Sequence, residues 1–428
     1  MKRLITVAIT ILIASSIWSQ QSNLNLGLEY RPRFIFDDGY KLPKADNENG
    51  LSYVTQRTRV NAHYKNEKLE TYLSVQDIRF WGDDDLYKTS GVSGNTNSLS
   101  LHQAWFLLNL HKNLQIKTGR QLFQYDDQRL LGARSWNDYQ VCYDAVLFKF
   151  NDTVNQIDLG LTWNTESSKN SLFPDEKFKV FDFIRYQRNF KQFNISSIIL
   201  LTGKTLNDTV ETIGLKGTYG INVLYNFNDF EIRSTGYFQN NVNNKAGKAK
   251  AFCLSVFANQ KVIEKKAAIG IGCDFLSGQD EANLNADYQN TNHLFDLHYG
   301  KRHGWYGYMD YFSTLPNQGL ADSYLKLEYT ISKLMLFQLD YHYFRLAANK
   351  YDTNNPTNKL DKTLGQEFDI TYQWKIAKET TLQAGYSFFL TTNTLEQIKG
   401  IDDNPYKFPQ FAYLMVTVKP SFKIFQNQ

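Results

Sequence analysis

Arginines recur at two-residue spacing early in the chain, as Arg31 with Arg33 and Arg57 with Arg59, and Glu29 leads the first pair. In an extended chain residues i and i+2 share a face, so each pair sets two guanidinium forks side by side. A guanidinium matches a carboxylate in planar, two-pronged geometry, and such a face can therefore hold an anion reversibly. Arg120 and Arg129 add two cations from a polar stretch downstream. Paired opposite them would be Glu29, Asp77, Asp144, Glu367 and Asp369, with Asp340, His342, Glu367 and Asp369 orienting the arginines or lining the pore. Charges that neutralise one another across a wall would only brace it, a role compatible with selecting anions at a constriction.

Other chemistries find less support. Asp340 with Glu367, or Glu367 with Asp369, are carboxylate pairs of the kind that hydrolyse glycosides, but on strand faces such groups are far more often hydrogen-bonded structure. The seven histidines, at 63, 102, 111, 293, 298, 303 and 342, show no zinc-ligand spacing. No Gly-x-Ser-x-Gly elbow and no phosphate loop occur, and Asp83-Asp84-Asp85 reads as a solvated acidic turn before it reads as a calcium loop. No catalytic residue, metal or cofactor is expected, and the chain reads as a non-enzyme.

Strands must position these groups. Leu24, Leu26, Leu28 and Tyr30 alternate with Asn25, Gly27, Glu29, Arg31 and Arg33, giving one greasy and one charged face. Val54, Val60, Ala62 and Tyr64 oppose Arg57, Arg59, Asn61 and His63 in the next strand. A lipid-facing barrel with a wet lumen needs such strands. Leu101–Leu110 and Leu114–Leu122 flank a short turn, whereas a long polar loop separates the second strand from Tyr143–Phe150. Short turns at one end and long loops at the other mark an outer-membrane barrel. By parity Asp77 and Arg79 fall on the apolar face, which predicts a bulge or the membrane rim there; Arg120 meets the same difficulty.

Met1-Lys2-Arg3 followed by the apolar Leu4–Ala14 predicts a secretory signal over residues 1–19, with residues 20–428 forming a single barrel domain. Mean hydropathy is that of a soluble protein, which a barrel also gives because only alternate residues meet lipid. Aromatic residues make up 15% of the chain, in keeping with many strands and interfacial rings. A net charge of +4 is too small to argue for nucleic acid. Cys253 and Cys273 lie about equally far from the turn near Val262, which leaves open a cross-strand disulfide or two packed thiols.

An even strand number is needed if both ends of the chain lie on one side of the membrane. Placing 276–320 in one long external or infolded loop gives 18 strands, the last closing at Phe411–Val418.

Gly119-Arg120-Gln121, Asp127-Gln128-Arg129-Leu130-Leu131-Gly132, Trp136-Asn137 and Asp144 together resemble the signature of the alginate-export family of outer-membrane β-barrels. Gln76–Gly82, Ile271–Gly278, Asp340-x-His342-x-Phe344, Gly365-x-Glu367-x-Asp369 and Gly385-Tyr386-Ser387 are similar to family patterns too. The resemblance spans nearly the whole mature chain and implies 18 strands. Asp126 stands where that family's loop leads one to expect Gly, and Gln426-Asn427-Gln428 follows Phe425 where such barrels commonly end on an aromatic. Together these readings predict an all-β transmembrane up-and-down barrel in the outer membrane. It would be a monomer, in contact with lipid, passing or exporting an anionic oligo- or polysaccharide of uronate type, or a small acid, through an arginine-rich lumen. A general porin remains open, as does a barrel enzyme or surface-binding protein if the long loop plugs the pore.

Overall fold

The computed structural model describes residues 22–46, 48–82, 99–164, 178–207, 212–401 and 405–426. The expected signal at 1–19 and the acidic run Asp83–Asp85 lie outside the described residues. Eighteen antiparallel strands close into a barrel. The first six are β1 (Asn23–Asp38), β2 (Leu51–Lys65), β3 (Leu69–Phe80), β4 (Ser100–His111), β5 (Leu114–Gln121) and β6 (Tyr143–Asn151). β7 (Asn155–Thr162), β8 (Val180–Asn189), β9 (Phe193–Asn207), β10 (Thr212–Phe227), β11 (Phe230–Asn241), β12 (Lys248–Val262) and β13 (Ala267–Leu276) follow. After a long loop come β14 (Leu320–Ser332), β15 (Met335–Arg345), β16 (Thr363–Ala377), β17 (Thr380–Thr391) and β18 (Gln410–Val418). β18 breaks at Lys419-Pro420 and resumes over Ser421–Gln426, and both pieces pair with β1. The closing strand is thus longer than the alternation predicted, because Pro420 interrupts the pattern without ending the pairing.

Leu26, Leu28, Val60, Ile221, Leu254, Ile269 and Ile271 are exposed on the outer face. Across from them Glu29, Arg31, Arg33, Arg57 and Arg59 are buried inside. An aqueous globule would bury the first set; a barrel in lipid exposes it. Short turns are closed by side chains that mimic backbone turns: the Asn66 amide oxygen accepts from the Leu69 amide at 2.7 Å, and Asp152 accepts from the Val154 amide at 2.7 Å.

Residues 277–319 form the long loop, with only a four-residue helix, α1 (Ala286–Gln289), and a two-residue bridge of Thr291–Asn292 to β12. Both this loop and residues 122–142 fold into the barrel, where Phe123, Leu130, Leu131, Tyr306, Met309, Tyr311 and Phe312 are buried against wall residues such as Tyr143, Phe183, Phe344 and Phe389. Cys253 is buried and Cys273 exposed, on opposite faces of the sheet, and both are free thiols.

Candidate functional site: an arginine clamp on an infolded loop

Register brings the arginines together and creates a conflict. Arg31 lies directly across from Arg57, and Glu29 across from Arg59. Like charges opposite one another destabilise a strand pair, so other groups must intervene. Glu29 reaches diagonally and accepts from Arg57 Nε at 2.8 Å. The loop 122–142 supplies the rest. Asp138 forms ion pairs with Arg31 and, at 3.0 Å, with Arg33. Successive loop carbonyls are then gripped from below: Ser135 by Arg31 at 2.8 Å, Trp136 by Arg33 at 3.0 Å, and Asn137 and Asp138 by Arg57 at 3.2 Å each. Arg59 donates to Gln76 and Gln140 side chains at 2.8 and 2.6 Å. The Arg33 guanidinium also covers the Trp136 ring at 4.1 Å. Burial disfavours the charge of Asp138, but Arg33 and Arg31 outweigh it and hold this carboxyl below the usual range. Four guanidinium charges thus meet two carboxylates, leaving a positive excess beside the loop.

The signature stretch anchors the loop at its other end. Arg129, predicted to touch an anion, is instead buried in a network: Nε donates to Asp127 at 2.9 Å, Nη1 pairs with Asp274 on β13, and Nη2 donates to the Tyr324 hydroxyl at 3.3 Å. Asp126 adopts φ +52, the left-handed conformation that favours Gly. Its carboxylate accepts from Arg185 Nη2 and Ser196 Oγ, each at 2.6 Å, which offsets the backbone cost and explains how Asp serves there.

The two loops interlock. The Lys301 amide donates to the Gln128 carbonyl at 2.7 Å, Arg134 donates to the carbonyls of Gly300 and His298 at 3.0 and 2.9 Å, and Trp305 Nε1 donates to the Asp127 carbonyl at 3.0 Å. Gly300 approaches so closely that a Cβ there would sit 1.8 Å from the Arg129 carbonyl oxygen. On the opposite wall, Glu367 accepts from the Met309 amide at 2.6 Å and Asp369 from the Tyr308 amide at 3.3 Å. Asp340 pairs with Lys326, and His342 Nδ1 lies 2.8 Å from Asp322. Trp136 stacks on His303 at 4.1 Å, and His303 contacts Asp310 at 3.2 Å. His298 makes a different set of contacts, bonded to Thr218 at 3.0 Å, and His293 contacts the Lys250 carbonyl at 2.9 Å, so the three histidines of this loop share no partner among the described residues.

Arg120, Asp144 and Asp77 are corrections. Gln121 is buried and donates to the Ala145 carbonyl at 3.0 Å, which turns Arg120 outward. There it meets Asp144, its register partner, at 3.0 Å, the two side chains 39% and 62% exposed. Asp77 likewise shares the outer face with Arg79, its partner at 2.7 Å, near the loop end of β3. Strict parity was the better guide at all three. The pairings that matter most, Asp138 with Arg31, Asp274 with Arg129 and Arg185 with Asp126, were not anticipated; each joins residues tens to more than a hundred positions apart, a distance that strand periodicity does not encode. Among the described residues no cluster of three or more His, Cys, Asp or Glu could hold a metal ion.

Known proteins place this arrangement. OccAB4 of Acinetobacter baumannii matches with a TM-score of 0.60 at 11% identity, over 94% of this chain and 99% of that one. OpdL and OpdK of Pseudomonas aeruginosa match at TM-scores of 0.58 and 0.59, with 11% and 9% identity and the same coverage. At such identity the likeness speaks for the fold, that of outer-membrane porins. No curated protein sequence matches the chain. The model of the family described as "Alginate export" matches residues 22–405. The barrel is an outer-membrane channel, and the chain belongs to the alginate export family.

Proposed function

We propose that this channel favours anions, passing a uronate-type oligo- or polysaccharide or a small acid by passive diffusion or export. The observation that carries the reading is the charge imbalance at the clamp, where Arg31, Arg33, Arg57 and Arg59 outnumber Glu29 and Asp138. Between low-dielectric walls such an excess concentrates anions and repels cations. One structural neighbour, OpdK, is seen with vanillate, an aromatic carboxylate, which suits the small-acid form of the proposal. Because Arg31, Arg33 and Arg57 already hold loop carbonyls, they act on a passing anion through their field. This favours, as a second reading, a general porin with a charge preference and no dedicated sugar site. Glu367 and Asp369 hold loop amides, which supports a bracing role for them over catalysis. Among the described residues β1 pairs with β18, so the barrel closes within one chain; we take that single chain as the working unit.

Reversal potential in planar bilayers under a salt gradient, with and without oligouronates, tests the proposal. An anion-selective current blocked by acidic but not neutral oligosaccharide is expected; a cation-selective current would refute it.

A further inference from the structure

A cavity of about 440 Å³ opens at the long-loop end of the barrel, between the 277–319 loop, residues 346–362 and the helix α2 (Asn393–Lys399). Its size falls in the range of about 300–1,000 Å³ usual for small-molecule sites. Phe312, Leu315 and Ile398 supply apolar lining, and Asn317 and Gln397 line it as well, the Gln397 amide oxygen accepting from the Thr353 hydroxyl at 3.2 Å and its amide nitrogen left to donate.

Its charges are not balanced. Glu281 is engaged by the Tyr351 amide at 2.7 Å, Gln318 Nε2 at 2.8 Å and Lys350 at 3.5 Å, so its charge already has a cationic partner. Lys399 has no carboxylate within ion-pair reach among the described residues, since Glu396 on the same helix is taken by Lys407. Its half-buried ammonium donates to the Tyr311 carbonyl and lies near the Tyr311 and Phe312 rings, 5.9 and 6.0 Å from their centres. An ammonium has three donors, so two remain for a ligand. Burial alone pulls this lysine down to about 8, the mark of a cation short of partners.

We propose that this cavity captures a carboxylate borne on a small ring, such as one uronate unit. Lys399 takes the carboxylate, the amides of Asn317 and Gln397 take ring hydroxyls, and the ring lies on Phe312 and Ile398. The site would be a first station ahead of the arginine clamp, a role that rests on the anion-channel reading, although binding itself does not.

Calorimetric titration of the detergent-purified full chain with glucuronate, and with glucose as the neutral control, tests it. Saturable glucuronate binding is expected, with glucose giving none, and Lys399→Met should weaken it by about tenfold or more. Should the variant fail to fold, as judged by loss of heat-modifiable migration, the wild type decides. Its glucuronate affinity should fall between a pH well below and one well above the ammonium's value of about 8. Absent or pH-independent binding, or equal binding of glucose, overturns the proposal. Channel current of the same wild-type protein separates the two readings. A conducting anion channel that binds no glucuronate refutes the cavity site alone, and a silent protein that binds it refutes the channel alone.

Discussion

Asp138→Asn removes one charge and almost no volume from the centre of the clamp. The carboxylate bridges Arg31 and Arg33, and both guanidinium groups are buried. Each charge-assisted hydrogen bond is worth about 1.5–3 kcal/mol, but Asn retains an acceptor, and Ser135, Trp136 and the Asp138 carbonyl stay bonded to the arginines. The expected loosening of the loop is therefore about 2–3 kcal/mol, below the 3–5 kcal/mol for a buried pair broken without compensation. That changes the population of a detached loop by about 30–150-fold. Two readouts follow. Current through single channels should become noisier, with more frequent open excursions, and the reversal potential should shift toward the anion equilibrium value because an acidic charge has gone. The pH dependence has a definite sign. The arginines hold Asp138 below its ordinary value, so its stabilisation is complete above the unfolded value near about 3.9 and is lost as the pH falls through the lower folded value. Wild-type channels should keep quiet currents down to about pH 4 and turn noisy below it, while the variant is noisy throughout. A variant with wild-type noise and reversal potential would refute the clamp as the element that seats the loop.

Gly307 holds φ +82, and a Cβ there would lie 2.3 Å from Glu367 Oε2. Gly307→Ala should therefore unseat the Tyr308–Met309 contact with β16 at a cost of about 1–3 kcal/mol, read as faster proteolytic nicking within 277–319; protection equal to wild type would count against it. Arg129→Lys keeps the charge but loses the fork that joins Asp127 to Asp274. A fall of about 3–5 kcal/mol should appear as heat-modifiable migration at a lower temperature, and full stability of the lysine variant would show that geometry is unimportant there.

Much of the barrel was legible because period-two alternation is a local property. Glu29, Arg31 and Arg33 share a face by spacing alone, and the long loop, expected at 276–320 and found at 277–319, stood out because the strand count had to be even. The site was legible only in its wall half. Arg57 could be seen to face inward, yet what it faces, the carbonyls of Asn137 and Asp138, lies some eighty residues on, in a loop with no periodicity. The errors at Arg120, Asp144 and Asp77 came from letting charge override parity near the rim. There a polar side chain can face outward because it reaches the headgroup region rather than the hydrocarbon.

The interlock between the two loops gives the clamp a reach beyond its own residues. The 122–142 loop is held on one side by Arg31, Arg33 and Arg57, and on the other by Asp126 with Arg185 and by Arg129 with Asp274. The 277–319 loop is held by Glu367, Asp369 and Thr218, and also by Gln128, Arg134 and Asp127 of the first loop. Neither loop can leave its wall without breaking bonds to the other, so their opening energies are coupled. A single such body makes the two ends interdependent: Asp138→Asn and Gly307→Ala, on opposite walls, should loosen the loops by more or less than the sum of their separate effects. Strict additivity, measured as opening free energies in a double-mutant cycle, would mean instead that the loops move independently and that only the nearer one guards the arginines.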